Sequence, residues 1–148
     1  MAELLQFRSE GGATVVDPTC SGIGRAPEAL VRISQAPGQN IVMGSGYNQQ
    51  STHPTDLQAM SADDVAQELI AEHRRGVGPD GVPIGLIGEI GVSADFTPEE
   101  RKSLRGAALA AVETGLPLMV HLPGWERLAH DVLDAIAAAG QPLDRVIL

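Results

Sequence analysis

The sequence has 148 residues, of which 43% are hydrophobic and 20% are charged, a composition typical of a folded domain and not of a disordered or fibrous protein. Its formal net charge of -9 offers no basic surface for nucleic acid or anionic membranes, and no apolar run is long enough to span a bilayer. The single cysteine, Cys20, excludes an internal disulfide framework. Because the N-terminal residues also lack the pattern of a secretory signal, we expect a cytoplasmic protein with no nucleic-acid or membrane partner.

Apolar runs of strand length alternate with helical patterns along the first part of the chain. After an amphipathic helical turn over residues 1–8, strands are predicted at 13–17 and 40–44, and the helix between them begins near Pro27 and ends at the break formed by residues 37–38. The strands are rich in Val, Ile, Leu and Met with little polar alternation. This is typical of buried parallel strands.

The next two helices have clear start signals. A helix over residues 61–76 begins with Ser61 as its N-cap, and a helix over residues 97–115 begins with a capping box formed by Thr97 and Glu100. Both carry apolar residues at the spacing of a core-facing stripe.

Three further strands and a last helix complete the pattern. The strands are predicted at residues 84–90, 117–122 and 145–148, and the last helix is predicted to place Trp125 and Ile136 on one core-facing side. In the preceding helix, Val112 is assigned to the core-facing stripe together with the residues Leu104, Ala107, Ala108 and Ala111.

Repeated strand and helix units predict an α/β fold with right-handed crossovers, either an open doubly wound sheet or part of a (β/α)8 barrel. A whole barrel needs roughly 250 residues, so this chain is too short for one. It opens in a helix and closes in a strand, and we expect it to be an excerpt of a longer protein.

Functional groups gather at the carboxyl ends of the strands in both architectures. Glu89 and His121 lie near the ends of two neighbouring predicted strands, and both are metal-ligand residue types. Neighbouring strands lie about 4.8 Å apart, so the two side chains could share an ion. Because side chains alternate along a strand, Glu89 is expected on the same side of its strand as Ile87, and His121 on the same side as Met119. Both pairs could face a barrel interior. From spacing alone, structural roles are favoured over a metal site, because the glutamate could be paired with an arginine or sit at a loop edge and a lone histidine is more often a satisfied core residue than a ligand.

Other polar residues at strand ends give weaker signals. The segment from Gly22 to Arg25 does not have the spacing of a nucleotide-binding loop. Cys20 has no basic neighbour in sequence and is expected to be a buried or loop thiol. Tyr47, His53 and Trp125 are candidates for lining a substrate pocket, although core packing is favoured for Trp125.

Five segments carry a resemblance to a known family. The segments GGATVVDPTCSGIGR, NIVMGSGY, IGLIGEIGVS, FTPEERKSLRGAALA and TGLPLMVHLPGW occur in this order, and with them the chain closely resembles the phosphotriesterase-like hydrolases of the amidohydrolase superfamily. The resemblance implies a (β/α)8 barrel with a two-metal centre at its carboxyl face. Residues 1–148 would then form a single partial metallohydrolase barrel domain containing strands two to six.

The resemblance also implies roles for two residues. Glu89 matches the carboxylate on strand four that bridges the two metals, and His121 matches the ligand on strand five. The remaining family ligands would be a His-x-His before Met1, a histidine directly after Leu148 and a more distant aspartate. The metals would be two zinc ions, with manganese, cobalt or iron as alternatives, and a metal-activated hydroxide would cleave a phosphoester, lactone or other ester in a small-molecule substrate.

Because ligands would be missing, we expect the 148 residues alone to be inactive. The alternative is a non-catalytic half-barrel that pairs with a partner chain or with itself, as a homodimer, through exposed edge strands.

Overall fold

The computed structural model describes residues 2–36 and 38–148 and consists of parallel strands that alternate with helices. Met1 and Pro37, assigned from the sequence to the first helical turn and to the break after the second helix, lie outside the described residues. The helices are α1 (Ala2–Ser9), α2 (Pro27–Gln35), α3 (Ala62–Arg75), α4 (Pro98–Thr114) and α5 (Ala129–Ala138), and the strands are β1 (Thr14–Asp17), β2 (Asn40–Ser45), β3 (Leu86–Gly91), β4 (Leu118–His121) and β5 (Val146–Ile147).

The five strands lie side by side in the order in which they occur in the sequence, and every neighbouring pair is parallel. An unreversed order of this kind is that of a (β/α)8 barrel, whereas a doubly wound sheet reverses at a switch point. The prediction of a partial (β/α)8 barrel is therefore confirmed. No helix in the described part of the chain combines the length and hydropathy needed to cross a bilayer.

The two faces of the sheet differ in what covers them. Helices pack on the outer face, where the side chains of Ile87, Ile90 and Leu118 are fully buried. The inner face forms an apolar groove of about 310 Å³, and its lining residues are Val16, Pro18, Val42, Gly85, Leu86, Pro117, Met119 and Ile147. The main hydrophobic cluster therefore lies on the helix-covered outer side of the sheet.

Both predicted helix starts are confirmed. The Ser61 hydroxyl accepts from the backbone N–H of Asp64, and the Thr97 hydroxyl accepts from that of Glu100, each within a complete capping box. Helices α3 and α4 then approach closely at Gly106, where a Cβ atom would lie 2.6 Å from Val65 Cβ. A side chain at this position would force the two helices apart.

Two core predictions for the helices were wrong. Trp125 is 81% exposed, because it lies in a turn that precedes α5 and not on the helix itself. The Glu126 N–H donates to the Pro123 carbonyl to close this turn, and α5 begins only at Ala129. Val112 is 46% exposed, because Ala111 and its neighbours on the α4 stripe make the core contact and Val112 lies one position further around the helix. At both positions the helical spacing of apolar residues includes a side chain that remains exposed in the fold.

Strand β3 is irregular, and this corrects the predicted alternation around Glu89. The pairing of β3 with β4 shifts register between Ile87 and Ile90. Ile87 and Ile90 both lie in the helix-covered core although they are three positions apart, while Leu86 lines the groove together with Met119. Ile87 therefore does not mark the side of the strand on which Glu89 lies, although His121 does share the groove side with Met119.

Candidate metal centre

The side chains of Glu89 and His121 meet at the carboxyl edge of the sheet. Gly91, at the end of β3, pairs with His121 at the end of β4, and Glu89 Oε1 lies 3.5 Å from His121 Nδ1. Both remain accessible, with 22% of the Glu89 side chain and 55% of the His121 side chain exposed. The structure thus brings together the two residues that spacing alone left undecided.

The loop after β1 holds the backbone of Glu89 in place. The Glu89 N–H donates to the Pro18 carbonyl at 3.0 Å, and the Cys20 thiol donates to the Glu89 carbonyl at 3.3 Å. Cys20 is fully buried, as expected for a structural thiol, and burial together with the nearby Glu89 charge raises its pKa to about 11. It is therefore a protonated donor near neutral pH and not a nucleophile.

The donor chemistry of the pair fits a divalent transition metal. Carboxylate oxygen and imidazole nitrogen are ligands that zinc, manganese, cobalt and iron accept. The two facing atoms, Glu89 Oε1 and His121 Nδ1, lie at an accessible edge and not within the core. Within residues 2–36 and 38–148, however, no group of three or more His, Cys, Asp or Glu side chains could hold a metal ion. The pair would be part of a ligand set.

Of the pocket-lining candidates in the loop after β2, Tyr47 lies in the core. It is 4% exposed, and its hydroxyl donates to Glu68 Oε1 on α3 at 2.7 Å. Burial and this carboxylate raise the pKa of Tyr47. His53 packs edge-to-face against the Tyr47 ring, and its Nε2–H donates to the Asn48 carbonyl at 2.6 Å. In this structure both side chains hold the loop together.

The third pocket-lining candidate, Trp125, lies in the loop that follows β4, four residues after His121. Most of its ring is in contact with solvent. Asp17, another polar residue at a strand end, accepts from the Thr19 N–H through Oδ1 at 2.9 Å and so closes a turn in the loop after β1. Neither residue is joined to Glu89 or His121 by a hydrogen bond or ion pair in the described part of the chain.

Glu100 has a larger role than the capping box predicted for it. The carboxylate is fully buried and accepts hydrogen bonds from the N–H groups of Gln50, Ser93 and Thr97, and also from the Ser93 hydroxyl. Burial alone would raise the pKa of Glu100, but these hydrogen bonds outweigh it and lower the pKa. Glu100 therefore ties the loops after β2 and β3 to the start of α4. The capping pattern predicts only the bond to Thr97.

A partly buried ion pair on the outer face was also missed from the sequence. Arg25, in the loop after β1, donates to both carboxylate oxygens of Glu72 on α3 at 2.8 and 2.7 Å, and Ser45 of β2 bonds to both side chains. A usable signal did exist, because Glu72 continues the apolar stripe of Val65 and Leu69 at helical spacing. A charge on a buried stripe requires a partner.

Asn48, which follows β2, was also missed from the sequence. Its Nδ2 donates to Glu89 Oε2 at 3.2 Å. The strand-end criterion that selected Tyr47 would also have selected Asn48, which comes directly after it.

Comparison with known sequences identifies relatives along the full length of the chain. A sequence model of the Phosphotriesterase family matches residues 1–148. A phosphotriesterase-related protein from Nematostella vectensis is 36% identical over 148 residues, which are 100% of this chain and 42% of that protein. The human N-acetyltaurine hydrolase is 31% identical over 146 residues, which are 99% of this chain and 42% of that protein. The chain therefore spans well under half the length of these curated relatives.

Comparison with solved structures gives the same picture. A resiniferatoxin-binding protein from Rhodobacter sphaeroides superposes with a TM-score of 0.96 and 56% identity, covering 98% of this chain and 40% of that one. The phosphotriesterase homology protein of Escherichia coli, solved with phosphate in its active site, superposes with a TM-score of 0.93 and 29% identity, covering 98% of this chain and 50% of that one.

Proposed function

We propose that this chain, which belongs to the phosphotriesterase family, is part of a metal-dependent hydrolase that cleaves an ester bond in a small molecule. The observation that carries the proposal is the approach of Glu89 Oε1 to His121 Nδ1 within 3.5 Å, at an accessible edge of the barrel sheet. A glutamate and a histidine with purely structural roles would be expected to be covered and fully bonded.

Glu89 and His121 would be the metal-holding residues of this segment. Glu89 would be a carboxylate shared by two ions, for which zinc is the leading candidate, and His121 would supply one nitrogen ligand. When bound, two such ions make a water acidic enough to attack at neutral pH and polarise the carbonyl or phosphoryl oxygen of the substrate. Further ligands would come from outside these 148 residues, so we expect the segment alone to be inactive.

The proposed substrates follow from the chemistry of a metal-activated water and from the names of the relatives. Phosphoesters, lactones and other esters are proposed, and the name of the human N-acetyltaurine hydrolase supports adding N-acyl amides to the classes tested. Exposed Trp125 is proposed to contact substrate, because its position after β4 puts an apolar ring on the same edge as His121. Tyr47 and His53 are proposed to affect the pocket through the shape of the loop after β2.

The test uses the longest natural polypeptide that contains these residues, assayed with zinc or manganese on a phosphotriester, a lactone and an N-acyl amide. Glu89→Gln and His121→Ala should lose metal and lose more activity than the roughly 10–100-fold typical of residues that only support a ligand. His130→Ala, an exposed histidine on α5, is the matched control and should match the parent. Unchanged metal content and activity in both ligand variants would refute the proposal.

The open groove favours a second candidate function, a non-catalytic half-barrel that self-associates as a homodimer. Val16 is 51% exposed and Ile147 is 48% exposed, although both lie on an apolar surface. Measurement of mass by light scattering would test this candidate. A dimer that dissociates in Val16→Asp and binds no metal would favour pairing, whereas a monomeric or metal-binding protein would count against it.

A further inference from the structure

The two oxygens of the Glu89 carboxylate have different surroundings. Oε1 faces His121 Nδ1 at 3.5 Å, and Oε2 accepts from Asn48 Nδ2 at 3.2 Å. A glutamate side chain rotates about several bonds, so a partner on one oxygen determines where the other oxygen points. Asn48 is therefore placed to set the direction of Oε1.

The orientation of the Asn48 amide is itself fixed. Its Oδ1 accepts from the Gln49 N–H at 2.7 Å, which leaves the NH2 group as the part that faces Glu89. The Asn48 carbonyl is held by His53 Nε2 at 2.6 Å. These contacts constrain both the amide plane and the backbone that carries it.

The backbone of the loop is held against the end of β3. The Gly91 N–H donates to the Tyr47 carbonyl at 3.1 Å. A Cβ atom at Gly91 would lie 2.4 Å from the Gln49 nitrogen and 2.6 Å from the Asn48 carbonyl carbon, so only glycine permits this approach. Asn48 is consequently held close to a strand position two residues from Glu89.

We propose that Asn48 is a positioning residue for Glu89, which fixes one carboxylate oxygen so that the other points towards His121 and a shared metal ion. The inference rests on the proposed function, because it assigns a role within the same metal centre. Groups that hydrogen-bond to a metal ligand fix its orientation, and their loss typically weakens metal binding about 10–100-fold. A stabilising role alone would leave the coordination of a bound metal unchanged.

The test compares Asn48→Ala and Asn48→Leu with the parent protein in the longest natural polypeptide that contains the chain. The leucine variant removes the donor but keeps a side chain of similar shape. Asn40→Ala is the matched control, because Asn40 lies at the opposite end of β2 and bonds to Thr14 at the sheet edge. Zinc affinity is measured by competition with a chelator, and the visible absorption spectrum of the cobalt-loaded protein reports on coordination.

We expect zinc affinity to fall about 10–100-fold in both Asn48 variants, with an altered cobalt spectrum, and to stay at the parent value in Asn40→Ala. Parent affinity and spectrum in the Asn48 variants, combined with loss of binding in Glu89→Gln, would overturn the role of Asn48 but not the metal centre. Equally poor binding in the parent and in Glu89→Gln would overturn the metal centre and this inference with it. Failure of both Asn48 variants to fold would make Asn48 a structural residue and also overturn the inference.

Discussion

Two glutamates near the carboxyl ends of the strands, Glu100 on α4 and Glu89 on β3, have opposite surroundings. Glu100 is fully buried and accepts four hydrogen bonds from three residues around it. Glu89 is partly exposed; one of its oxygens accepts from Asn48, and the other faces the His121 ring. A carboxylate whose oxygens all accept hydrogen bonds stabilises a fold, whereas one with an oxygen that accepts none is available to a ligand. The difference indicates a structural role for Glu100 and supports the proposal that Glu89 is a metal ligand.

The largest expected effect is on stability and should separate the two acids directly. Glu100→Gln replaces two charged acceptors by one neutral oxygen and an NH2 group that faces N–H donors, and we expect it to lower the free energy of unfolding by about 3 kcal/mol. Glu89→Gln should change it by less than about 1 kcal/mol, because an amide oxygen can still accept from Asn48. Urea denaturation measures both, with the exposed Glu113→Gln as control. Equal losses in the two variants would remove the distinction.

The next effect is on the response to metal. At a zinc concentration 100 times its dissociation constant, the parent protein should gain about 2.7 kcal/mol of stability through binding to the folded state. Folded Glu100→Gln protein should gain a similar amount, whereas Glu89→Gln should gain much less. Thermal unfolding with zinc and then with excess EDTA measures the gain and its reversal. A zinc response lost in Glu100→Gln but kept in Glu89→Gln would invert the proposed roles.

The pH dependence of stability sharpens the same comparison through Glu100. Because its pKa in the folded state lies below the ordinary value of 4.5, the folded state holds the charged form more strongly than the unfolded state does. This contribution is complete above pH 4.5 and is lost as the pH falls through the folded pKa. The stability difference between the parent and Glu100→Gln should therefore shrink in acid, as measured by urea denaturation at a series of pH values. A difference that stays constant below pH 4.5 would contradict it.

The parts of the molecule that follow from local patterns were predictable, and those that depend on contacts across the fold were not. Capping boxes and strand positions depend on nearby residues, so Ser61 and Thr97 were placed correctly at their helix starts. The register shift in β3 and the turn before α5 depend on tertiary packing, which overrode the periodicity that wrongly placed Ile87 and Trp125.

The same division holds at the candidate site. Residue type and strand position single out Glu89 and His121, which the structure places 3.5 Å apart. Asn48 meets the same strand-end criterion, but its contact with Glu89 and the additional partners of Glu100 depend on loops whose path is set by hydrogen bonds across the fold, such as the bond from Gly91 to Tyr47. No spacing rule along the chain encodes a loop path of this kind.

The smallest predicted effect concerns Cys20, a fully buried residue whose thiol donates to the Glu89 carbonyl. Its folded pKa of about 11 lies above the ordinary 9.0, so as the pH rises past 9 the unfolded thiol loses its proton while the folded thiol keeps it. Stability should then fall with rising pH, by about 1.4 kcal/mol at pH 10 relative to neutral pH, since each pKa unit is worth about 1.36 kcal/mol. Cys20→Ala should lack this slope in denaturation experiments at pH 7 to 10, a range that stops at the ordinary pKa of tyrosine.

The burial of Cys20 also predicts that the folded parent resists a thiol reagent at pH 8 until denaturant is added. Rapid labelling of the native protein would show that the loop after β1 opens readily. The backbone of Glu89 would then be held far less firmly than its hydrogen bonds to Pro18 and Cys20 indicate.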